Sequence, residues 1–144
     1  MAARLVGEPS AAQRVSLTTS GSQAFTRGAL VFVTYASDRV DPVTSSVGTT
    51  VNLIGVAAQT IASTATVIEV ILLHPGQIWE MDCTSDTASN QVLNRHGMTD
   101  SLNVANTSSD TATTLGIALM LSTVGAAGDR KALFKLLAVG QVTA

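Results

Sequence analysis

Charge is what this sequence has least of. Asp, Glu, Lys and Arg together make up 12% of its 144 residues, where about 25% is usual. Aromatic residues are 3%, with one Trp and one Tyr, too few to build the exposed ring platforms on which sugars stack. There is one cysteine, Cys83. It excludes an intrachain disulfide and is compatible with a reducing compartment. Basic clustering is missing as well: the net charge is −2, the sequence pI is about 5.5, and Arg130-Lys131 is the only adjacent basic pair. Direct nucleic-acid binding is not expected without a phosphate-neutralising patch. No apolar run approaches the roughly 18 residues of a membrane-crossing helix. The longest, 115–121 and 132–139, are interrupted by Gly116 and Lys135. The opening MAARLVGEPSAAQR has no apolar stretch of secretory-signal length, so the expectation is a soluble protein.

Hydrophobic residues make up 46%, in a chain long enough for one domain with a real core. Ala, Thr, Ser, Val and Leu dominate, which predicts a neutral, adhesive surface. Free monomers are usually better charged to resist association, so this composition favours a protein held against other subunits.

The chain is organised around residues 66–79, TVIEVILLHPGQIW, read as a core strand, a Pro-Gly turn and a second strand. A related pattern, RKALFKLLAVGQV, occupies residues 130–142. Aligning Gly76 with Gly140 superposes Leu72-Leu73 on Leu136-Leu137 and Gln77 on Gln141. Upstream, Ile54-Gly55-Val56-Ala57 matches Leu115-Gly116-Ile117-Ala118, with Thr50 and Thr111 ahead of them. The offsets are 61 and 64 (116 − 55 and 140 − 76). The reading is one hairpin-like unit used twice.

Residues 1–14 lack a sustained period and contain Gly7 and Pro9. They read as an extended N-terminal arm ahead of a domain at 15–144. Such a segment is either a disordered terminus or an ordered, partner-binding arm. In the second case Leu5 and Val6 supply apolar contacts and Arg4 and Arg14 polar ones. Strands are expected at 15–19, 29–35, 51–57, 67–73, 77–83, 115–124 and up to about 142, with weak ones at 43–47 and 91–94. Residues 38–42 read as a loop because Pro42 cannot donate to a ladder, and His96-Gly97 reads as a turn. Phe25 is expected to close a turn onto the core. Gly55 within its strand marks a bulge or a close backbone approach. Residues 132–138 have helix-forming composition, but their β-branched counterpart at 67–73 makes strand the better choice for both. About ten short runs between turn signals predict an all-β single domain, a β-sandwich or barrel.

Chemistry-bearing motifs are weak. His74 and His96, with Cys83 and Asp82 or Asp86, lack the spacing of a metal site, and no cofactor is expected. Cys83 with a distant His could pair as nucleophile and base, but a lone cysteine in a β-rich chain reads more simply as a small buried hydrophobe. Glu80 and Asp82 share one side of a strand without the cleft of a glycosidase pair. Residues 125–131, GAAGDRK, lack the Gly-Lys-Ser/Thr ending of a phosphate loop. Trp79 is either core or an interface anchor, core being favoured. No enzyme is expected.

Three segments carry a resemblance: FTRGALVFV from Phe25, IGVA from Ile54, and VIEVILLHPGQIW from Val67. Together they resemble the small capsid cement, or head decoration, proteins of tailed bacteriophages, over about residues 25–82 and, through the repeat, 111–142. The polar middle, 84–114, is longer than in that group. The resemblance implies a jelly-roll-like β-sandwich that assembles as a homodimer or homotrimer at capsid symmetry axes. Its partner would be the major capsid protein on the outer face of the virion, after synthesis in the host cytoplasm. It would bridge neighbouring subunits against internal DNA pressure, binding neither nucleic acid nor membrane. Competing readings are another virion subunit (tail-tube, head-fibre or minor capsid protein) and a carbohydrate-binding β-sandwich module.

Overall fold

The computed structural model describes residues 3–7, 13–21, 23–34, 38–43, 52–74, 76–106 and 117–137. They form an all-β body of two sheets in a sandwich-like arrangement. The strands are β1 Arg4–Gly7, β2 Arg14–Thr18, β3 Leu30–Thr34, β4 Arg39–Pro42, β5 Asn52–Ala57, β6 Val67–Leu72, β7 Ile78–Cys83, β8 Arg95–Met98, β9 Asn103–Ala105, β10 Ala118–Val124 and β11 Lys131–Leu136. Period-two alternation explains the clearest of them. On β7, Trp79, Met81 and Cys83 are buried while Ile78, Glu80 and Asp82 are half-exposed. β11 buries Ala132, Phe134 and Leu136 and turns Lys131, Leu133 and Lys135 outward. Pairing with β7 on one side and β10 on the other overrides its helical composition, as the strand reading expected. No helix among the described residues is long and apolar enough to cross a membrane.

The N-terminal sheet runs β2-β6-β5-β3-β4, and the C-terminal sheet runs β1-β7-β11-β10-β8-β9. Without β1, each has the order first-fifth-fourth-second-third of its own five strands. Each also closes on itself through a parallel contact between its first and third strands: Thr19 with Val40, and Cys83 with Val104. Those residues sit 64 positions apart (83 − 19 and 104 − 40). The backbone repeats bond by bond. Thr19 N–H donates to Thr66 O at 2.9 Å, and Cys83 N–H to Arg130 O at 2.7 Å. Gly28 N–H donates to Ala57 O at 2.8 Å, and Leu93 N–H to Met120 O at 2.7 Å. Ala65 and Asp129 close the same tight turn onto Ala62 O and Ala126 O. The repeat therefore spans a complete five-stranded sheet rather than a hairpin.

Its second segment, β6 on β11, keeps the expected 64-residue offset. The first is displaced by two residues: Gly55 pairs with Val31 and Leu72, and the residue so placed in the C-terminal sheet, between His96 and Leu136, is Ala118. Thr50, Thr111, Leu115, Gly116, Gly140 and Gln141 lie outside the described residues, as do 44–47 of an expected weak strand.

One core joins the sheets. Leu30, Val43, Leu53 and Val56 from the N-terminal sheet pack with Trp79, Met81, Phe134 and Met120 from the C-terminal one. A smaller cluster inside the N-terminal sheet holds Phe25, Ala29, Val31, Val40, Ala57, Ile68 and Val70. Phe25 reaches it from the turn, bridged to Ile61. Full burial of one such large side chain contributes roughly 1.5–3 kcal/mol.

Three local expectations are corrected. Residues 39–42 form β4, not a loop: Pro42 ends the strand opposite Val31, and Val40 is buried. His96 and Gly97 sit within β8, not in a turn, since pairing with both β10 and β9 holds them extended. Residues 91–94 are not a strand. A 3₁₀ turn at Ser89–Gln91 is followed by left-handed Leu93, with φ of 66°.

Candidate functional site

The N-terminal segment lies partly on the body of the domain. β1 pairs antiparallel with β7, matching Arg4 to Glu80 and Leu5 to Trp79, and Ala3 N–H donates to Gly28 O at 3.1 Å. Arg4 Nη2 donates to Glu80 Oε2 at 2.9 Å, and Leu5 packs against the shared core. Val6 keeps 39% of its surface exposed. Arg14 is separate from these three: it opens β2 in the other sheet, 3.7 Å from Glu69 Oε1. Solvent-facing ion pairs of this kind contribute about 0–1 kcal/mol. The extended segment expected as an arm is thus a docked edge strand over residues 4–7, and residues 1, 2 and 8–12 lie outside the described chain.

Of the reactive side chains, Cys83 and His96 point inward. Cys83 is buried, and its thiol is pushed up to about 11, first by burial and then by the neighbouring Asp82 carboxylate. A thiol held that high is protonated near neutrality and a poor nucleophile. His96 is buried with Nε2 3.0 Å from Gln91 O, whereas His74 is at the surface. No group of three or more His, Cys, Asp or Glu side chains among the described residues is arranged to hold a metal ion. Glu80 is held by Arg4, and Asp82 lies opposite Lys131 in the β7–β11 register.

The 125–131 loop fills itself. Ala126 N–H donates to Asp129 Oδ2 at 2.9 Å, so the carboxylate occupies the place a phosphate loop offers its ligand. Left-handed Arg130, with φ of 54°, reaches back to Asp86 Oδ1 at 2.9 Å and Thr84 O at 3.3 Å. A strand follows it.

The sequence reads Asn106 only as the first residue of an Asn-Thr-Ser glycosylation motif, discounted without a secretory signal, and Leu93 only as part of a weak strand; neither reading shows what these residues do. Asn106 is buried and ties the 84–91 loop together. Its Oδ1 accepts from Ser85 N–H at 3.0 Å, and its Nδ2 donates to Ser85 O, Asp86 O and Gln91 Oε1 at 3.0, 3.2 and 3.1 Å. Leu93 adopts a conformation that Leu rarely takes and leaves 71% of its surface exposed. The same slot in the N-terminal sheet holds Gly28, with φ of 86°.

The outward faces mix apolar and neutral side chains with single charges. Val67 is 52% exposed, and β2 presents Arg14, Ser16 and Thr18. Phe25, Trp79 and Phe134 are buried and Phe32 is half-buried, so these rings form no sugar platform; Tyr35 lies outside the described residues. The arrangement is that of an all-β body built from two like sheets, with its titratable core groups used in packing. No protein-family model matches the chain, and no curated protein matches it.

Proposed function

We propose that this protein is a structural virion subunit that binds the outer face of an icosahedral phage capsid and bridges neighbouring major capsid subunits. The resemblance of residues 25–82 to capsid cement proteins names the partner. The observation that carries the reading is the division of chemistry between inside and outside. Cys83, His96 and Trp79 serve the core, while the outward faces carry Ser, Thr and scattered single charges, with isolated apolar points at Val6, Val67 and Leu93. A stiff body of this kind suits many modest contacts repeated over a shell, whose avidity exceeds that of any one contact.

The test is rebinding. Purified protein is mixed with capsids stripped of it, and bound protein and heat resistance of the particles are measured. Rebinding at a fixed copy number per shell together with a raised disruption temperature is expected. Failure of both sinks the reading. Rebinding only to tails or to isolated head fibres would transfer the protein to another virion role.

A further inference from the structure

β1 stands outside the repeated unit. In the C-terminal sheet it lies along Ile78–Glu80 of β7. The matching positions of the N-terminal sheet are Arg14–Ser16 of β2 (78 − 14 = 64). No strand among the described residues pairs with their outer side, so a sheet of this topology holds together without a sixth strand. β7 is kept in place from elsewhere. β11 runs along its other side from Trp79 to Asp82, and β9 lies beside it at Asp82 and Cys83.

The hold on β1 is small. The strand is four residues long, and its pairing shifts register between Leu5 and Gly7. Leu5 is half-buried, Val6 is exposed, and the Arg4–Glu80 ion pair sits at the surface with the arginine side chain 63% exposed. Ala3 adds one small buried side chain and the bond from its N–H to Gly28 O. Segments with few buried apolar contacts open well below the free energy of global unfolding. The place that β1 occupies is nonetheless specific. Cys83 N–H donates to Arg130 O, so Trp79, Met81 and Cys83 bond to β11. In an antiparallel ladder the alternate residue, Glu80, directs its N–H and C=O to the other side, toward Arg4.

We infer that β1 is an exchangeable strand, docked on its own β7 when the chain is dilute and on the β7 of a second copy when copies are crowded. The occupant follows from a complementarity the fold already contains. Any β1 brings Arg4 to Glu80 and Leu5 to Trp79, whichever chain it belongs to. Exchange gains and loses no contact at β7, so effective concentration sets the balance. Residues 8–13 join β1 to β2 in the opposite sheet. Fully extended, the step from residue 7 to residue 14 spans at most roughly 25 Å, which limits exchange to an immediate neighbour. Two chains that trade β1 form a closed pair, each giving one strand and receiving one. The exchange does not depend on capsid attachment.

The test uses the full chain. Arg4→Cys and Glu80→Cys are made in separate chains, mixed at high concentration and oxidised with glutathione disulfide, the native thiol being buried at Cys83. Hydrogen-bonded antiparallel pairs hold their Cα atoms about 5.5 Å apart, within disulfide range, so exchange traps a mixed dimer. Arg4→Cys mixed with Ser89→Cys is the control. Ser89 is exposed whereas Glu80 is not, so random collision favours the control. The Glu80→Cys mixture is expected to cross-link at least about tenfold faster, because docking raises the local thiol concentration. In the wild type, the Glu80 amide, which faces β1, should exchange its hydrogen at least about tenfold faster than the Met81 amide, which faces β11. The double variant Arg4→Cys/Glu80→Cys, oxidised when dilute, should lock as a monomer. It should then stay monomeric in sedimentation at concentrations where the wild type dimerises. Cross-linking no faster than the control overturns the inference. So do equal exchange rates at Glu80 and Met81, a wild type with no dimer at about 1 mM, or a locked chain that dimerises as readily as the wild type.

Discussion

Replacing Gly55 by Ala tests how tightly β5 and β6 are pressed together. A Cβ at position 55 would lie 2.6 Å from Val70 Cγ1 and closer still to Ile71 O. The Val70 methyl can rotate, but the Ile71 carbonyl belongs to the backbone of the adjacent strand and cannot move without loosening the ladder. Overpacking of this type costs roughly 1–3 kcal/mol, and the smaller entropy of an unfolded Ala chain returns about 0.4–1 kcal/mol. With a main-chain atom as the obstacle, the net loss should be about 2 kcal/mol, or roughly 4–8 °C in Tm for a chain of this size. Ala118, the counterpart, already carries a methyl in the same ladder position and is fully buried. Ala118→Gly should therefore lose about 1 kcal/mol for a different reason, through a lost contact and a freer unfolded chain. Urea denaturation followed by Trp79 fluorescence suits both variants, because the single tryptophan is buried in the shared core. Gly55→Ala within about 0.5 kcal/mol of wild type, inside the range of an ordinary surface change, would refute the close approach.

Leu93→Gly should raise stability by roughly 1 kcal/mol, because it removes a left-handed strain of that order and gives up a side chain that is mostly in water; thermal unfolding measures it, and a lower Tm would contradict the reading. Asn106→Ala should cost about 2–3 kcal/mol, since a buried loop loses its partners for Ser85 and Asp86 backbone groups at once; hydrogen exchange of the 84–91 amides should rise well before global unfolding. Cys83 should resist alkylation at pH 8 in the folded state and react on unfolding. An unfolded thiol titrates near 9.0 and the folded one at about 11, so folding favours the neutral form. That stabilisation is complete below pH 9 and is lost as pH rises towards 11, and Cys83→Ser should flatten that part of the stability profile.

β11 was readable only through its counterpart at 67–73, since its own composition favours helix, whereas period-two alternation made β7 readable, because one face must enter the core and Trp79 and Met81 mark it. The repeat was partly readable because β6 and β11 carry the strongest apolar runs. Its first segment was misplaced by two residues because Gly55 and Gly116 attract each other in an alignment, while the ladder equates Gly55 with Ala118. Pro42 and His96-Gly97 look like turn formers locally. What holds Pro42 and His96 in strands is pairing with Val31 and Ala118, 11 and 22 positions away (42 − 31 and 118 − 96), which no local pattern encodes. For the candidate surface, Arg4, Leu5, Val6 and Arg14 were grouped by proximity in sequence, yet β1 and β2 belong to different sheets.

The internal repeat also separates what the fold needs from what the surface can vary. At inward positions the pairs Val15/Trp79, Leu17/Met81, Ile68/Ala132, Val70/Phe134 and Val40/Val104 stay apolar, with large and small residues traded so that each interior fills. Thr19/Cys83 fits the same rule: the Thr19 hydroxyl is satisfied by Ala65 O at 3.0 Å, and the thiol needs no such partner. At outward positions the pairs change chemical class, as in Arg14/Ile78, Ser16/Glu80, Thr18/Asp82, Val67/Lys131 and Glu69/Leu133. Close packing constrains the first set, because a cavity or an unpaired polar group costs several kcal/mol. Nothing in the packing constrains the second, so its differences record different surroundings. Two halves with one skeleton and unlike faces cannot dock the same way on the same neighbour. That division is what the proposed bridging role would require, since a subunit set between two neighbours needs one skeleton and two unlike faces.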